Sequence, residues 1–162
     1  MVSTNVPQKF IDRCNDLTEL LKYMWLQRMY TFDELVPRRL ESIGAVYVIG
    51  DVNTDDILYV GRTKDLKRRM YTNHLMGNQS TARLKKYLTK DELLEEFARS
   101  VGVEFPNVED PDQYQDAYRL AKRFIREKCY FKFITVDESR MRGLFEAGLT
   151  YALDTKFIEE EH

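Results

Sequence analysis

Apolar residues recur at three- and four-residue intervals from Pro7 to Met29, through Phe10, Cys14, Leu17, Leu21 and Met24. With Pro7 suited to a first helical turn, this predicts one amphipathic helix. A turn or short helix follows over Tyr30–Leu40, broken at Pro37. The pattern then changes. Gly44–Gly50 (GAVYVIG) and Ile57–Thr63 (ILYVGRT) are rich in β-branched residues, and DVNTDD between them has turn composition, so the pair reads as a β-hairpin. Helical spacing returns over Lys64–Met76, Ser80–Lys90 and Asp91–Ser100, with Gly77-Asn78-Gln79 between the first two. VEFPNVEDPDQ reads as a loop, Tyr114–Lys128 as a helix and Tyr130–Val136 (YFKFITV) as a third strand. Asp137 is a good N-cap for a last helix reaching about Phe157. Three strands cannot bury both their faces alone, so helices must cover them. The expected fold class is α+β, a small, mostly antiparallel three-stranded sheet flanked by helices.

Composition narrows the reading. At 162 residues the chain suits one domain with an appended arm: residues 1–40 as an N-terminal helical extension packed on the core, and 41–162 as the domain proper. No apolar run approaches the roughly 20 residues of a bilayer span, and MVSTNVPQKFIDR lacks the apolar stretch of a secretory signal. Cys14 and Cys129 lie far apart without metal-ligand spacing, as expected of ordinary thiols in a cytoplasmic protein.

The net charge of -2 hides a local imbalance. Between Gly61 and Lys90 stand Arg62, Lys64, Lys67, Arg68, Arg69, Arg83, Lys85, Lys86 and Lys90 against the single acid Asp65, so this stretch carries +8 and the rest of the chain -10. A concentrated positive segment suits contact with phosphate, although many such runs are simply solvated faces.

Strand residues alternate faces, so Tyr47 shares a side with Ala45 and Ile49, and Tyr59 with Ile57 and Gly61. A hairpin centred on Asn53 would set Tyr47 opposite Tyr59, and any register with an even pair sum keeps both rings on one side. Cross-strand aromatic pairs often do no more than stabilise a sheet. Here Gly61 ends the strand, where a glycine admits close approach by another backbone or a phosphate, and Arg62-Thr63-Lys64-Asp65 opens a helix carrying Arg68, Arg69 and His74. At α-helical spacing, Arg69 and His74 fall on opposite shoulders of the face buried through Leu66 and Met70.

These residues resemble the GIY-YIG nuclease family. Its first half-motif appears as Gly44-Ala45-Val46-Tyr47-Val48 and its second as Tyr59-Val60-Gly61. Arg69 stands at the spacing of the family's helical arginine, His74 matches a histidine common in several branches, and Glu146 in LFEAGL is the candidate for its metal-binding glutamate. The likeness covers about Gly44 to Phe157, with a helical insertion at about 90–128. The family usually has an asparagine shortly after the glutamate helix, whereas no asparagine follows Asn107 here.

The resemblance implies a Mg²⁺- (or Mn²⁺-) dependent endonuclease acting on DNA. Glu146 would hold the cation and Arg69 would stabilise the pentavalent phosphorus. Tyr47 would accept a proton or orient water, with Tyr59 in support, and His74 would donate to the phosphate or shuttle a proton. Gly61, Arg62, Lys64 and Arg68 would contact the DNA backbone. Tyr23, Trp25 and Arg28 of the first helix are expected to pack or to form a homodimer contact rather than lean on DNA. The alternative is a catalytically silent nucleic-acid-binding domain of the same fold.

Overall fold

The computed structural model describes residues 6–33, 35–77 and 81–158. Ser80, the Asn78-Gln79 pair and His162 lie outside them. The chain forms α1 (Gln8–Leu26), β1 (Tyr30–Thr31), α2 (Leu35–Arg39), β2 (Ala45–Asp51), β3 (Ile57–Thr63), a π-helix (Arg68–Leu75), α3 (Arg83–Leu88), α4 (Glu92–Ser100), α5 (Tyr114–Lys128), β4 (Cys129–Thr135) and α6 (Ser139–Ala152).

The sheet has four strands rather than three, in the order β1-β4-β2-β3, and all its pairs are antiparallel. The added strand is the two-residue edge Tyr30–Thr31, too short to show an alternating pattern, and Tyr30 pairs with Phe131. Pro37 does not break the next segment. It sits third in α2, within the first turn, where a missing N–H costs no intrahelical bond. Asp33 starts that helix by accepting the Leu35 N–H at 3.0 Å.

Period two along β2 divides the core. Tyr47 and Ile49 face a cluster with Leu66, just before the π-helix, Met70 within it, and Leu84, Phe97 and Phe124 of α3–α5. Val46 and Val48 face Met24 of α1 and Leu149 of α6. α1 packs only through its C-terminal half. Leu20, Leu21 and Met24 reach the sheet, whereas Phe10 and Cys14, expected on the same stripe, are exposed. Two contacts fix that half. Lys132 of β4 donates to the Trp25 carbonyl at 2.6 Å, a cation at a helix C-terminus, and Gly148 leaves room for Leu17 where α1 crosses α6.

α6 begins one residue later than expected. Glu138, not Asp137, occupies the N-cap position, without a side-chain hydrogen bond. The helix also stops before Phe157, which instead forms a parallel bridge with Tyr59, its N–H donating to the Leu58 carbonyl at 2.9 Å. This tail covers the β3 edge, which would otherwise present unpaired backbone groups. Among the described residues, no helix is long and apolar enough to cross a membrane.

Candidate active site

The hairpin register places Tyr47 opposite Gly61 and Ile49 opposite Tyr59, two residues from the pairing expected for a turn centred on Asn53. A bulge between Ile49 and Gly50 and the left-handed Asp55 (φ 60°) absorb the difference. The pair sum stays even, so both phenols share a face, with ring centroids 6.2 Å apart. Gly61 is needed there for a reason other than phosphate approach. A Cβ at this position would collide with the Tyr47 phenol, which lies across the glycine.

The segment after β3 departs from the expected α-helix. Arg68–Leu75 is π-helical, and Met76, which caps its C-terminus, donates from its N–H to the Tyr71 carbonyl five residues back. In an α-helix five residues advance about 500°, leaving Arg69 and His74 about 140° apart. Bonding from i to i+5 stacks residues five apart instead, which turns both toward the same side. His74 is thereby buried, its ring edge-on to both Tyr47 (5.6 Å) and Tyr59 (5.8 Å). Tyr47 Oη and His74 Nε2 are hydrogen-bonded at 3.0 Å.

This cluster is buried, and burial sets its protonation. Burial pushes the Tyr47 phenol well above its usual range, the Tyr59 neighbour adds to that, and Arg69 pulls the other way. Burial, with help from the Arg69 and Lys85 charges, lowers His74 to about 3. At neutral pH the site therefore holds a neutral phenol and a neutral imidazole. Among the described residues, two buried side-chain nitrogens have no hydrogen-bond partner, His74 Nδ1 and Arg69 Nε. An orphaned acceptor is less costly than an orphaned N–H. The tautomer with hydrogen on Nε2, donating to Tyr47 Oη, is accordingly the better assignment.

Beside the cluster lies a hollow of about 440 Å³ whose lining includes Arg62, Lys64, Arg68, Arg69 and Arg142, with Asn73 of the π-helix. Arg62, Lys64 and Arg68 are exposed and Arg69 is half-buried. Arg142 spans from α6 to the end of β4, donating to the carbonyls of Val136 (2.8 Å) and Asp137 (2.7 Å). Arg62 crosses to α6, passing where Gly143 leaves room, and its Nε lies 3.1 Å from Glu146 Oε2. The Glu146 side chain is 30% exposed, and its charge is felt at Tyr47, where it opposes ionisation.

The structure thus gathers Tyr47, Tyr59, His74 and Arg69, and brings Glu146 within electrostatic range. Lys85 belongs elsewhere. It is buried, donating to the carbonyls of Leu75 (2.6 Å) and Gly77 (3.1 Å) beyond the π-helix, so it is not part of a phosphate-binding face. Arg83, whose charge also reaches Tyr47, entered the sequence reading only as a member of the basic segment, and Arg142 did not enter it. Arg142 precedes Glu146 by four residues, a helical spacing that puts both on one side of α6.

Among the described residues, no group of three or more His, Cys, Asp or Glu side chains could enclose a metal ion. A single carboxylate still fits a hard cation of the Mg²⁺ kind, which keeps most of its waters and shares phosphate oxygens. Two carboxylates stand near the basic hollow: Asp65 in its lining, which accepts the Arg68 N–H at 2.9 Å, and Glu146, which meets Arg62 of the lining from α6.

No curated protein and no solved structure matches the chain. The family model described as GIY-YIG catalytic domain matches residues 43–128, from the residue before Gly44 to the end of α5, leaving β4, α6 and Glu146 beyond the matched stretch. Since that match takes in more than half of the chain and contains the paired tyrosines, Gly61, Arg69 and His74, the chain belongs to the GIY-YIG family and has its nuclease-type fold.

Proposed function

We propose that this protein is a Mg²⁺- (or Mn²⁺-) dependent endonuclease that hydrolyses DNA phosphodiester bonds. The observation that carries the reading is the meeting of the hydrogen-bonded Tyr47–His74 pair with Arg69, whose buried Nε lacks an acceptor, at the edge of a basic hollow. A phosphate oxygen would supply that acceptor in a charge-assisted bond. Exposed Arg62, Lys64 and Arg68 hold the flanking backbone. Glu146 holds the cation, which when bound neutralises phosphoryl charge and activates water.

Tyr47 is fully buried against His74, so its meeting with a nucleophilic water requires the hollow to open when DNA binds. With its phenol held neutral, Tyr47 orients that water through Oη rather than acting as a preformed phenolate. Burial is the main reason His74 stays neutral, with the Arg69 and Lys85 charges adding to it, so the neutral imidazole serves to hold Tyr47 Oη in place while Arg69 takes the phosphate. Tyr59 supports the pair from the same face.

The second reading, a DNA-binding domain that does not cut, draws on the pairing of Glu146 with Arg62 and on the burial of Tyr47. A nicking assay on supercoiled plasmid and branched DNA, with Mg²⁺ or EDTA, separates the two. Cleavage should require the cation and fall about 100-fold or more in Glu146→Gln and Arg69→Ala. Equal cleavage by all three proteins ends the catalytic assignment, and binding without cleavage by the wild type selects the second reading.

A further inference from the structure

A second hollow, of about 510 Å³, lies against the β1–β4 edge on the same sheet face as Tyr47. Phe133 forms part of its lining and stands directly across from Tyr47 in the β2–β4 pairing. Its aromatic side is a short stack. The Tyr30 ring lies 5.4 Å from Phe131 at an interplanar angle of 18° and 5.5 Å from Phe133, both Tyr30 and Phe133 being half-buried. The rim is charged: Arg28, with its guanidinium 5.2 Å from the Tyr30 ring centre, Arg39, and one acid, Glu41, all exposed. The hollow and the start of the basic segment share a backbone seam, in which the Leu66 N–H donates to the Ile43 carbonyl (3.0 Å) and the Lys67 N–H to the Glu41 carbonyl (3.3 Å).

We infer that this hollow binds one unpaired nucleobase of the DNA whose phosphates occupy the neighbouring site, giving the protein a preference for DNA with an extrahelical or single-stranded base. The inference rests on the DNA reading above. A base presents a flat π face to Phe133 and to Tyr30 in place of the exposed Arg28 guanidinium, which moves off the ring to meet a flanking phosphate with Arg39, and Glu41 can accept from an exocyclic amine. Aromatic rings bordered by cations are how proteins hold unstacked bases, whereas a paired base, its faces covered by its neighbours, cannot enter.

The test is binding, in EDTA, of two fluorescein-labelled short duplexes, one fully paired and one with a single extra base, read by anisotropy. The readout is the ratio of the two dissociation constants on one protein, so a general loss of affinity cancels. The wild type should favour the bulged duplex about 5- to 100-fold. Phe133→Leu, and independently Arg39→Gln at the exposed rim, should bring the ratio toward unity. Two results overturn the inference while leaving the nuclease reading intact: a wild-type ratio near unity on DNA that is bound, or a ratio unchanged in both variants. A dimer in light scattering that Phe133→Leu dissolves would assign the hollow to a second copy of the chain and overturn it too. Absence of binding to either duplex removes both readings.

Discussion

Acidification should destabilise this protein through His74 in addition to its carboxylates. In the unfolded chain a histidine takes up its proton near pH 6.5, whereas folded His74 resists protonation down to about 3. Below 6.5 the unfolded state therefore binds more protons, and stability falls as the pH falls. The slope approaches about 1.4 kcal/mol per pH unit, which amounts to roughly 2.5 kcal/mol between about pH 6 and pH 4, with a ceiling of about 5 kcal/mol near the folded value. Above 6.5 the contribution is fully present and flat. Urea unfolding across this range at constant ionic strength, for wild type and His74→Gln, isolates the effect because the carboxylates are common to both. The variant starts lower, having lost the bond to Tyr47 Oη, but its stability should decline less steeply. Parallel declines, or an NMR titration of His74 near 6.5, would refute the burial argument.

Other expectations follow from neighbouring contacts. Gly61→Ala forces a methyl into the Tyr47 phenol and should cost about 1–3 kcal/mol in a thermal melt, with cleavage falling further than stability because Tyr47 is displaced. Lys85→Met leaves the carbonyls of Leu75 and Gly77 without their donor, a loss of about 1–3 kcal/mol in urea. Lys85 is lowered from 10.5 to about 8 by burial and the nearby Lys122, so between those values the unfolded chain holds the extra proton. Wild type should gain on Lys85→Met as the pH rises through that window. Arg62→Gln removes the ion pair between Arg62 and Glu146 and should lower the Mg²⁺ concentration for half-maximal cleavage by up to about five-fold, while weakening DNA binding in anisotropy.

Much of this architecture is written in local patterns. The hairpin strands, the limits of α5 and the shared face of the two tyrosines follow from period two, helical spacing and turn composition, because those signals act within a few residues. What the sequence hides depends on distant partners. Tyr30–Thr31 becomes a strand only because β4 lies beside it, and two residues carry no periodicity of their own. The exposure of Phe10 reflects α1 extending past α6, which no stripe on α1 reveals. The candidates Arg69, His74 and Glu146 are legible through the family motif they resemble. Their surroundings are not: Lys85 counts as one more surface cation until the carbonyls around it are seen. Nor does a letter pattern say that Gly61 serves Tyr47 rather than a ligand.

The widened turn at Arg68–Leu75 bears on how the motif tolerates insertions and deletions. Four residues of α-helix and five of π-helix both bring a histidine back toward its arginine, since each interval closes about one turn. Removing one residue between Arg69 and His74, and letting the segment relax to α, would keep the two side chains facing together. A one-letter length change between them is thus nearly silent in space, and a search template that fixes this gap would discard sequences whose geometry is intact.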